Sequence, residues 1–155
     1  MKRVGLFGIT ALAVLLCVLT GCPEEKIPES MTFVDDLKNP AKQFTIDEDL
    51  NFNVKFIIPS AAEKAMTIEA GDEVSGKITE TDTAWNSNLT GLASQMSSTN
   101  DMINGAVAVL PITISLTYTK AEGEITAVIV AFPGEDAIVQ QAQKIMGATY
   151  LRSNQ

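Results

Sequence analysis

The sequence predicts an α+β domain in which one or two helices pack on an antiparallel sheet of about four to six strands. Three segments support this prediction. Residues 50–58 alternate in hydropathy, residues 112–132 form two strand-like runs, and residues 135–146 repeat apolar side chains at helical spacing. Alternation with period two is typical of a half-buried strand, and a 3.6-residue repeat is typical of an amphipathic helix. A β-sandwich is the alternative, and it follows if the segment around Trp85 is not helical.

The first strand is predicted at residues 50–58, where every second residue is apolar and would share one buried face. Its apolar members are Leu50, Phe52, Val54, Phe56 and Ile58, and Pro59 follows them. Residues 66–79 alternate more weakly around Gly71-Asp72, a dipeptide that favours a turn, so a hairpin is expected there.

A helix is predicted at Thr83–Met96, because Trp85, Leu89, Leu92 and Met96 follow one another at helical spacing. Within that helix Trp85 is expected to belong to the core, with a partner-contacting role as the alternative. Residues 97–105 are predicted to form a loop.

A second hairpin is predicted from Ile112 to Phe132, with its turn at residues 120–123. Residues 125–132 are apolar on both faces, which is typical of a covered strand, so the following helix at Glu135–Met146 is expected to lie across it. Gly147 is expected to end that helix. The predicted core comprises Phe52, Val54, Phe56, Ile114, Leu116, Ile129, Ile138 and Ile145.

The N-terminus has the organisation of a secretory signal peptide. Lys2-Arg3 forms a positive region, residues 4–19 are apolar and uncharged, and Leu19-Thr20-Gly21-Cys22 follows. This ending resembles the lipobox of bacterial lipoproteins. The resemblance covers the first 22 residues, and it implies recognition of Leu19, Thr20 and Gly21 by the lipoprotein signal peptidase. It also implies cleavage before Cys22 and a diacylglycerol on its sulfur.

Three regions are expected: a signal peptide at 1–21, the lipidated cysteine with a flexible tether at 22–43, and a single globular domain at 44–155. The tether is rich in proline and acidic residues, although Met31–Val34 has the character of an edge strand. An uncleaved membrane anchor and an ordinary signal peptide are the alternatives for the N-terminus.

The expected location is a bacterial cell membrane, with the lipid as anchor and the domain facing the periplasm or the exterior. Pro23 stands where an aspartate resembles an inner-membrane retention signal of enteric bacteria, which tilts the expectation towards the outer membrane.

Charge and cysteine content exclude several classes of partner and fold. The formal net charge is −8, and removal of Lys2 and Arg3 with the signal peptide leaves about −10. Nucleic acid requires clustered cations, so it is not an expected partner. Cys17 lies within the signal peptide and Cys22 is the lipidation site, so no disulfide is expected and stability must come from a packed core.

Catalytic equipment is sparse, because the chain contains no histidine. This excludes histidine-based triads and imidazole zinc sites. The spacing of Asp47, Asp49, Asn51 and Asn53 is similar to the start of a calcium-binding EF-hand loop, but Phe52 and Ile58 replace its glycine and glutamate. Carboxylate doublets are expected at turns and at a helix start. We therefore expect no enzyme, no metal and no cofactor.

Two functions fit these observations. The first is a non-enzymatic protein-binding or assembly module that is tethered to an envelope membrane and contacts another envelope protein. The alternative is a small-ligand or lipid-binding periplasmic lipoprotein, which would need a cavity between sheet and helix. An enzyme would instead need a deep pocket lined by two converging carboxylates.

Overall fold

A computed structural model gives the architecture of the chain and describes residues 30–79, 88–107, 112–121 and 124–153. It contains eight strands, which are β1 Met31–Val34, β2 Lys42–Ile46, β3 Asn51–Phe56, β4 Glu73–Thr79, β5 Asn88–Ser98, β6 Ile112–Ala121, β7 Glu124–Ala131 and β8 Ala148–Arg152. Three helices accompany them within the described residues, and these are α1 Ala61–Ala65, α2 Asp101–Val107 and α3 Ala137–Met146.

The strands form a closed antiparallel β-barrel, in which each strand pairs with the next and β8 returns to pair with β1. The prediction of an α+β domain with a four-to-six-strand sheet is therefore wrong, and so is the β-sandwich alternative. β1 and the start of β2 lie within residues 22–43, which composition had assigned to the tether. Because β1 joins the two ends of the sheet, this segment is part of the barrel.

Alternation in hydropathy places one face of each strand in a common interior. Along β3, Phe52, Val54 and Phe56 are buried, whereas Asn51 and Lys55 are exposed. The rings of Phe44 and Phe52 stack at 6.4 Å, and Tyr150 approaches Phe44 at 5.4 Å. An eight-stranded barrel is just wide enough for side chains to fill, and these three aromatic rings are buried within the core.

The outer face of β7 is not covered by a helix, as the apolar character of residues 125–132 had suggested. Val128 and Val130 point inwards and are buried, whereas Ile129 on the outer face is 40% exposed. Ile129 and Ile138 were both predicted to be core residues, and both are exposed. The other six residues predicted for the core are buried: five lie on inward faces of strands that closure of the barrel buries, and Ile145 lies on the buried side of the last helix.

The segment predicted as a helix at 83–96 is strand β5 over its described part, and residues 83–87, including Trp85, lie outside the described residues. Its pairing with β4 shifts by one residue between Ser75 and Lys77, and Gln95 has a φ of 51°. This bulge brings Ala93 and Met96 to the interior although they are three positions apart. The predicted helical stripe paired Leu92 with Met96, but in the strand Met96 is buried with Ala93, and Leu92 is only half-buried.

All three helices lie at one end of the barrel, which we call the helix end. Helix α1 connects β3 to β4, α2 connects β5 to β6, and α3 connects β7 to β8. Because successive strands run in opposite directions, these three connections share an end. The residues predicted as a loop at 97–105 contain most of α2, and those predicted as a hairpin at 66–79 contain the single strand β4. Strand β1 begins at the opposite end, because its connection to β2 also lies at the helix end.

Candidate functional site

The lipobox residues Leu19, Thr20, Gly21 and Cys22 lie outside the described part of the chain. The predicted signal peptide and its lipidation site therefore stay predictions. The other polar groups that the sequence singled out can be placed in the structure.

The Asp35-Asp36 doublet shapes the connection between β1 and β2. Asp35 Oδ1 accepts hydrogen bonds from the backbone N–H groups of Ala41 and Lys42, each at 2.9 Å. Asp36 Oδ1 accepts the N–H groups of Lys38 and Asn39, and these two donors lower the pKa of Asp36. The two carboxylates are thus occupied by backbone donors.

Asp47, the first residue of the calcium-like spacing, closes the turn between β2 and β3. It accepts the N–H groups of Asp49 at 3.0 Å and Asn51 at 2.9 Å, and the Asn51 side-chain amide at 2.9 Å. Burial opposes ionisation of Asp47, but these hydrogen bonds outweigh burial and lower its pKa. Among the described residues, no group of three or more His, Cys, Asp and Glu side chains could hold a metal ion.

The remaining acidic doublets are also separated rather than convergent. Asp72 Oδ2 accepts the Glu69 N–H at 2.9 Å and the Asn100 amide at 3.0 Å, whereas Glu73 pairs with Lys55 at 3.0 Å. Asp136 precedes α3 as its N-cap residue and makes no side-chain capping bond. Neither pair supplies the facing carboxylates that glycoside hydrolysis requires.

An apolar pocket of about 190 Å³ opens at the helix end, and we call it the helix-end pocket. It lies where α2 and α3 meet the ends of β4 and β6. Its lining consists of Met66, Val74, Met102, Ile103, Ile112, Ile138, Gln141, Ala142, Ile145 and Met146. This lining contains one polar side chain, that of Gln141, and no charged group.

The pocket has a buried floor and an exposed rim. Val74 and Ile112 are fully buried strand residues, and Ile145 and Met146 are buried residues of α3. At the rim, Met102 of α2 is 59% exposed and Ile138 of α3 is 43% exposed. Large apolar side chains that remain exposed beside an apolar cavity are typical of a binding surface.

Helix α1 positions Met66 at this rim. Ser60 caps α1 and forms a reciprocal capping box with Glu63, whose Oε2 accepts the Ser60 N–H at 2.7 Å. The other oxygen of Glu63 pairs with Lys42 Nζ at 2.8 Å. Met66 is the C-cap residue of α1, and its Sδ is in contact with the Gln141 side-chain amide. The short helix is thus fixed to strand β2 at one point and to α3 at another.

Helix α3 is joined to the barrel by two hydrogen bonds. The Gln143 side-chain oxygen accepts the Phe132 N–H at 2.8 Å, and the buried Tyr150 hydroxyl donates to the Met146 carbonyl at 2.8 Å. Burial, together with the nearby charges of Asp35 and Glu63, raises the pKa of Tyr150, so this hydroxyl keeps its proton. These contacts place Ala142, Ile145 and Met146 over the barrel opening.

A second cavity, of about 370 Å³, lies around the β2–β3 turn near the opposite end and has a polar lining that includes Asp47, Asn53 and Lys77. Asn53 already donates to Glu73 at 3.1 Å and to the Ser75 hydroxyl at 3.0 Å. Since Asp47, Asn51, Asn53 and Ser75 of this lining are already hydrogen-bonded within the protein, the helix-end pocket is the better candidate site.

Comparison with protein families, with curated proteins and with solved structures finds no match to this chain. Within the described residues, no helix has the length and apolar character needed to cross a membrane, and the longest is the ten-residue α3.

The sequence indicated the apolar part of this site that α3 supplies, which is four of its ten lining residues. The apolar stripe of α3 was visible as Ile138, Ala142, Ile145 and Met146. The contributions of Met66, Met102 and Ile103 were missed, because two of these residues lie in a segment that was predicted to be a loop. The sequence feature that indicates the start of α2 is Asn100, because asparagine favours helix N-termini. Its side-chain oxygen accepts the N–H groups of Met102 at 3.2 Å and Ile103 at 3.3 Å.

Proposed function

We propose that this protein is a membrane-anchored envelope lipoprotein whose barrel is a non-enzymatic protein-binding module, and that it binds through the helix-end pocket. The observation that carries the proposal is an apolar cavity of about 190 Å³ whose rim residues Met102 and Ile138 remain exposed. Burying these two side chains under a partner would remove their apolar surface from water.

The size of the pocket favours a protein partner. Small-molecule and cofactor sites usually enclose roughly 300–1,000 Å³, so the helix-end pocket is smaller than such a site. It has room for a single apolar side chain, and protein interfaces concentrate their binding energy in a few such anchors. Three of its lining residues are methionines, Met66, Met102 and Met146, whose flexible side chains adapt to the shape of an anchor.

An apolar small ligand is the second candidate. The cavity lies between the barrel and helix α3, which is the arrangement that a small-ligand or lipid-binding protein needs. A cavity of about 150 Å³ lined by aliphatic side chains can hold a molecule the size of benzene, so a ligand of this class would fit.

The position of the pocket suits an anchored binding module. The lipid predicted on Cys22 precedes β1, and β1 begins at the end of the barrel opposite the helices. The pocket would thus face away from the site of attachment. Lipidation itself is tested by fatty acid labelling, which should be lost in a Cys22→Ala variant.

Photo-crosslinking in intact cells tests the protein-binding function. A photoreactive residue replaces Met102 at the pocket rim, and a matched control replaces the exposed Ala121 at the opposite end of the barrel. We expect a protein adduct of discrete mass from position 102 and none from position 121. Adducts from position 121 alone would contradict the proposal, and an adduct of lipid or metabolite mass at position 102 would favour the second candidate.

A further inference from the structure

We infer that the segment that enters the helix-end pocket is cationic: an apolar side chain of the partner protein, flanked by lysine or arginine residues. This inference rests on the proposed function and adds the chemistry of the partner to it. Two features of the helix end support it, namely the absence of cations from the pocket lining and the unpaired carboxylates beside its rim.

The lining offers no group that would hold an anion. Its ten residues include no lysine and no arginine. A fatty acid or a phospholipid would bring a carboxylate or a phosphate to the rim, where the exposed carboxylates of Asp101, Glu135 and Asp136 would repel it. The pocket is therefore suited to an apolar group that carries no anion of its own.

The rim is flanked by exposed carboxylates. Asp101 directly precedes Met102, and Glu135 and Asp136 lie two or three positions before Ile138. None of these three side chains pairs with a cation or accepts a hydrogen bond from a residue that the structure describes. They differ in this from Asp36, Asp47 and Asp72, whose oxygens are occupied by donors.

The balance of charge at the helix end is negative. Its connecting segments, 35–41, 57–72, 99–107 and 132–147, contain more carboxylates than ammonium groups. The acidic residues are Asp35, Asp36, Glu63, Glu69, Asp72, Asp101, Glu135 and Asp136, and the basic residues are Lys38, Lys64 and Lys144, while Lys42 at the start of β2 neutralises Glu63. This excess of negative charge attracts a cationic segment and repels an anionic one. Charge would therefore discriminate between partners that present the same apolar side chain.

The five methionines of the mature chain provide the test. Met66, Met102 and Met146 line the pocket, whereas Met31 and Met96 lie elsewhere in the core. The lipidated mature protein, with its methionine methyl groups labelled with ¹³C, is placed in nanodiscs of zwitterionic phosphatidylcholine. It is titrated with the cationic leucine peptide acetyl-Lys-Lys-Gly-Leu-Gly-Lys-Lys-amide. Three further probes are an acidic peptide in which glutamate replaces every lysine, a serine peptide in which serine replaces leucine, and octanoate.

We expect the cationic leucine peptide to shift the three pocket methyl signals and to leave those of Met31 and Met96 unchanged. The affinity of the acidic peptide should be lower than that of the cationic peptide by about tenfold or more, and added salt should reduce this difference in affinity. Changing Asp101 and Asp136 to asparagine should weaken binding of the cationic peptide. Changing Asp49, an exposed carboxylate at the opposite end of the barrel, to asparagine should leave the affinity for this peptide unchanged.

Three outcomes would overturn the inference, and they are distinguishable from one another. Equal affinity for the cationic and acidic leucine peptides would show that the pocket does not select a cationic partner, but it would not contradict the proposed protein-binding function. Equal binding of the leucine and serine peptides would show that the pocket is not used. If only octanoate, or none of the probes, shifts the pocket methyl signals, the result would contradict the protein-binding function itself.

Discussion

Lys42 and Glu63 form an ion pair of 2.8 Å that joins strand β2 to helix α1 at the helix end of the barrel. Their side chains are only 14% and 5% exposed, and the second oxygen of Glu63 accepts the N–H of Ser60. This pair holds the helix whose C-cap residue, Met66, completes the rim of the pocket.

Breaking this pair should destabilise the barrel. A Lys42→Gln variant leaves the Glu63 carboxylate buried without its cation, which should lower the free energy of unfolding by about 3 kcal/mol. Lys55→Gln is the matched control, since Lys55 pairs with Glu73 at 3.0 Å but is 46% exposed, and its loss should cost less than about 1 kcal/mol. Urea denaturation of the unlipidated mature chain measures both. Equal costs for the two variants would show that burial of the pair contributes nothing.

Stability should fall in acid partly because of Glu63. Burial opposes its ionisation, but the hydrogen bonds and charge of Lys42 and the N–H of Ser60 outweigh burial and lower its pKa. A lowered pKa in the folded state adds stability above the unfolded pKa, and this stability is lost as the pH falls through the folded pKa. Melting temperatures of the wild type and of Glu63→Gln should therefore differ most above the ordinary glutamate pKa of 4.5 and converge as the pH falls below it. A gap that stays constant with pH would contradict this assignment.

The β4 strand should not tolerate a side chain at Gly76. An added Cβ would lie 2.9 Å from the Phe52 ring and 3.0 Å from Met96 Cγ, so Gly76→Ala should cost about 1–3 kcal/mol. Gly105→Ala is the control, because a Cβ there meets nothing within 4 Å and the helix should gain about 0.5–1 kcal/mol. Thermal denaturation compares them. Destabilisation by both substitutions would be inconsistent with the packing around Phe52.

The contact between helix α3 and the barrel should depend on its buried stripe. Ile145→Ala removes a buried side chain at the pocket floor and should cost about 2–5 kcal/mol, whereas Lys144→Ala on the exposed side should change stability by about 0.5 kcal/mol or less. Denaturant titration measures the two free energies of unfolding. If Ile145→Ala is as silent as Lys144→Ala, the helix does not pack on the core.

The sequence was most informative where one local rule decides the structure. Regular alternation identified β3 and the hairpin of β6 and β7, and an amphipathic repeat that ends at Gly147 identified α3. Each of these features depends only on residues within the same segment, so it can be recognised without knowledge of the fold.

Closure of the barrel could not be recognised in this way. It depends on the pairing of β1 with β8, whose paired residues Phe33 and Arg152 are far apart in the chain. The bulge at Gln95 could not be recognised either, and the spacing of Leu92 and Met96 was read as helical although only Met96 is buried in β5. Without closure, the apolar outer residue Ile129 seemed to need a helix above it. The pocket was missed for the same reason, because three separate connections meet at one end only when the barrel is closed.

Filling the helix-end pocket shows whether the pocket itself receives the partner. Ala142→Leu adds apolar atoms to the wall of a cavity of about 190 Å³, whereas Ala137→Leu adds the same atoms at the exposed start of α3. Both variants carry the photoreactive residue at position 102, and the protein adduct is quantified in intact cells. We expect Ala142→Leu to reduce the adduct by about tenfold or more, since an anchor contact contributes on the order of 2 kcal/mol, and Ala137→Leu to leave it unchanged. An adduct that persists at full yield in a folded Ala142→Leu protein would show that the partner does not enter the pocket.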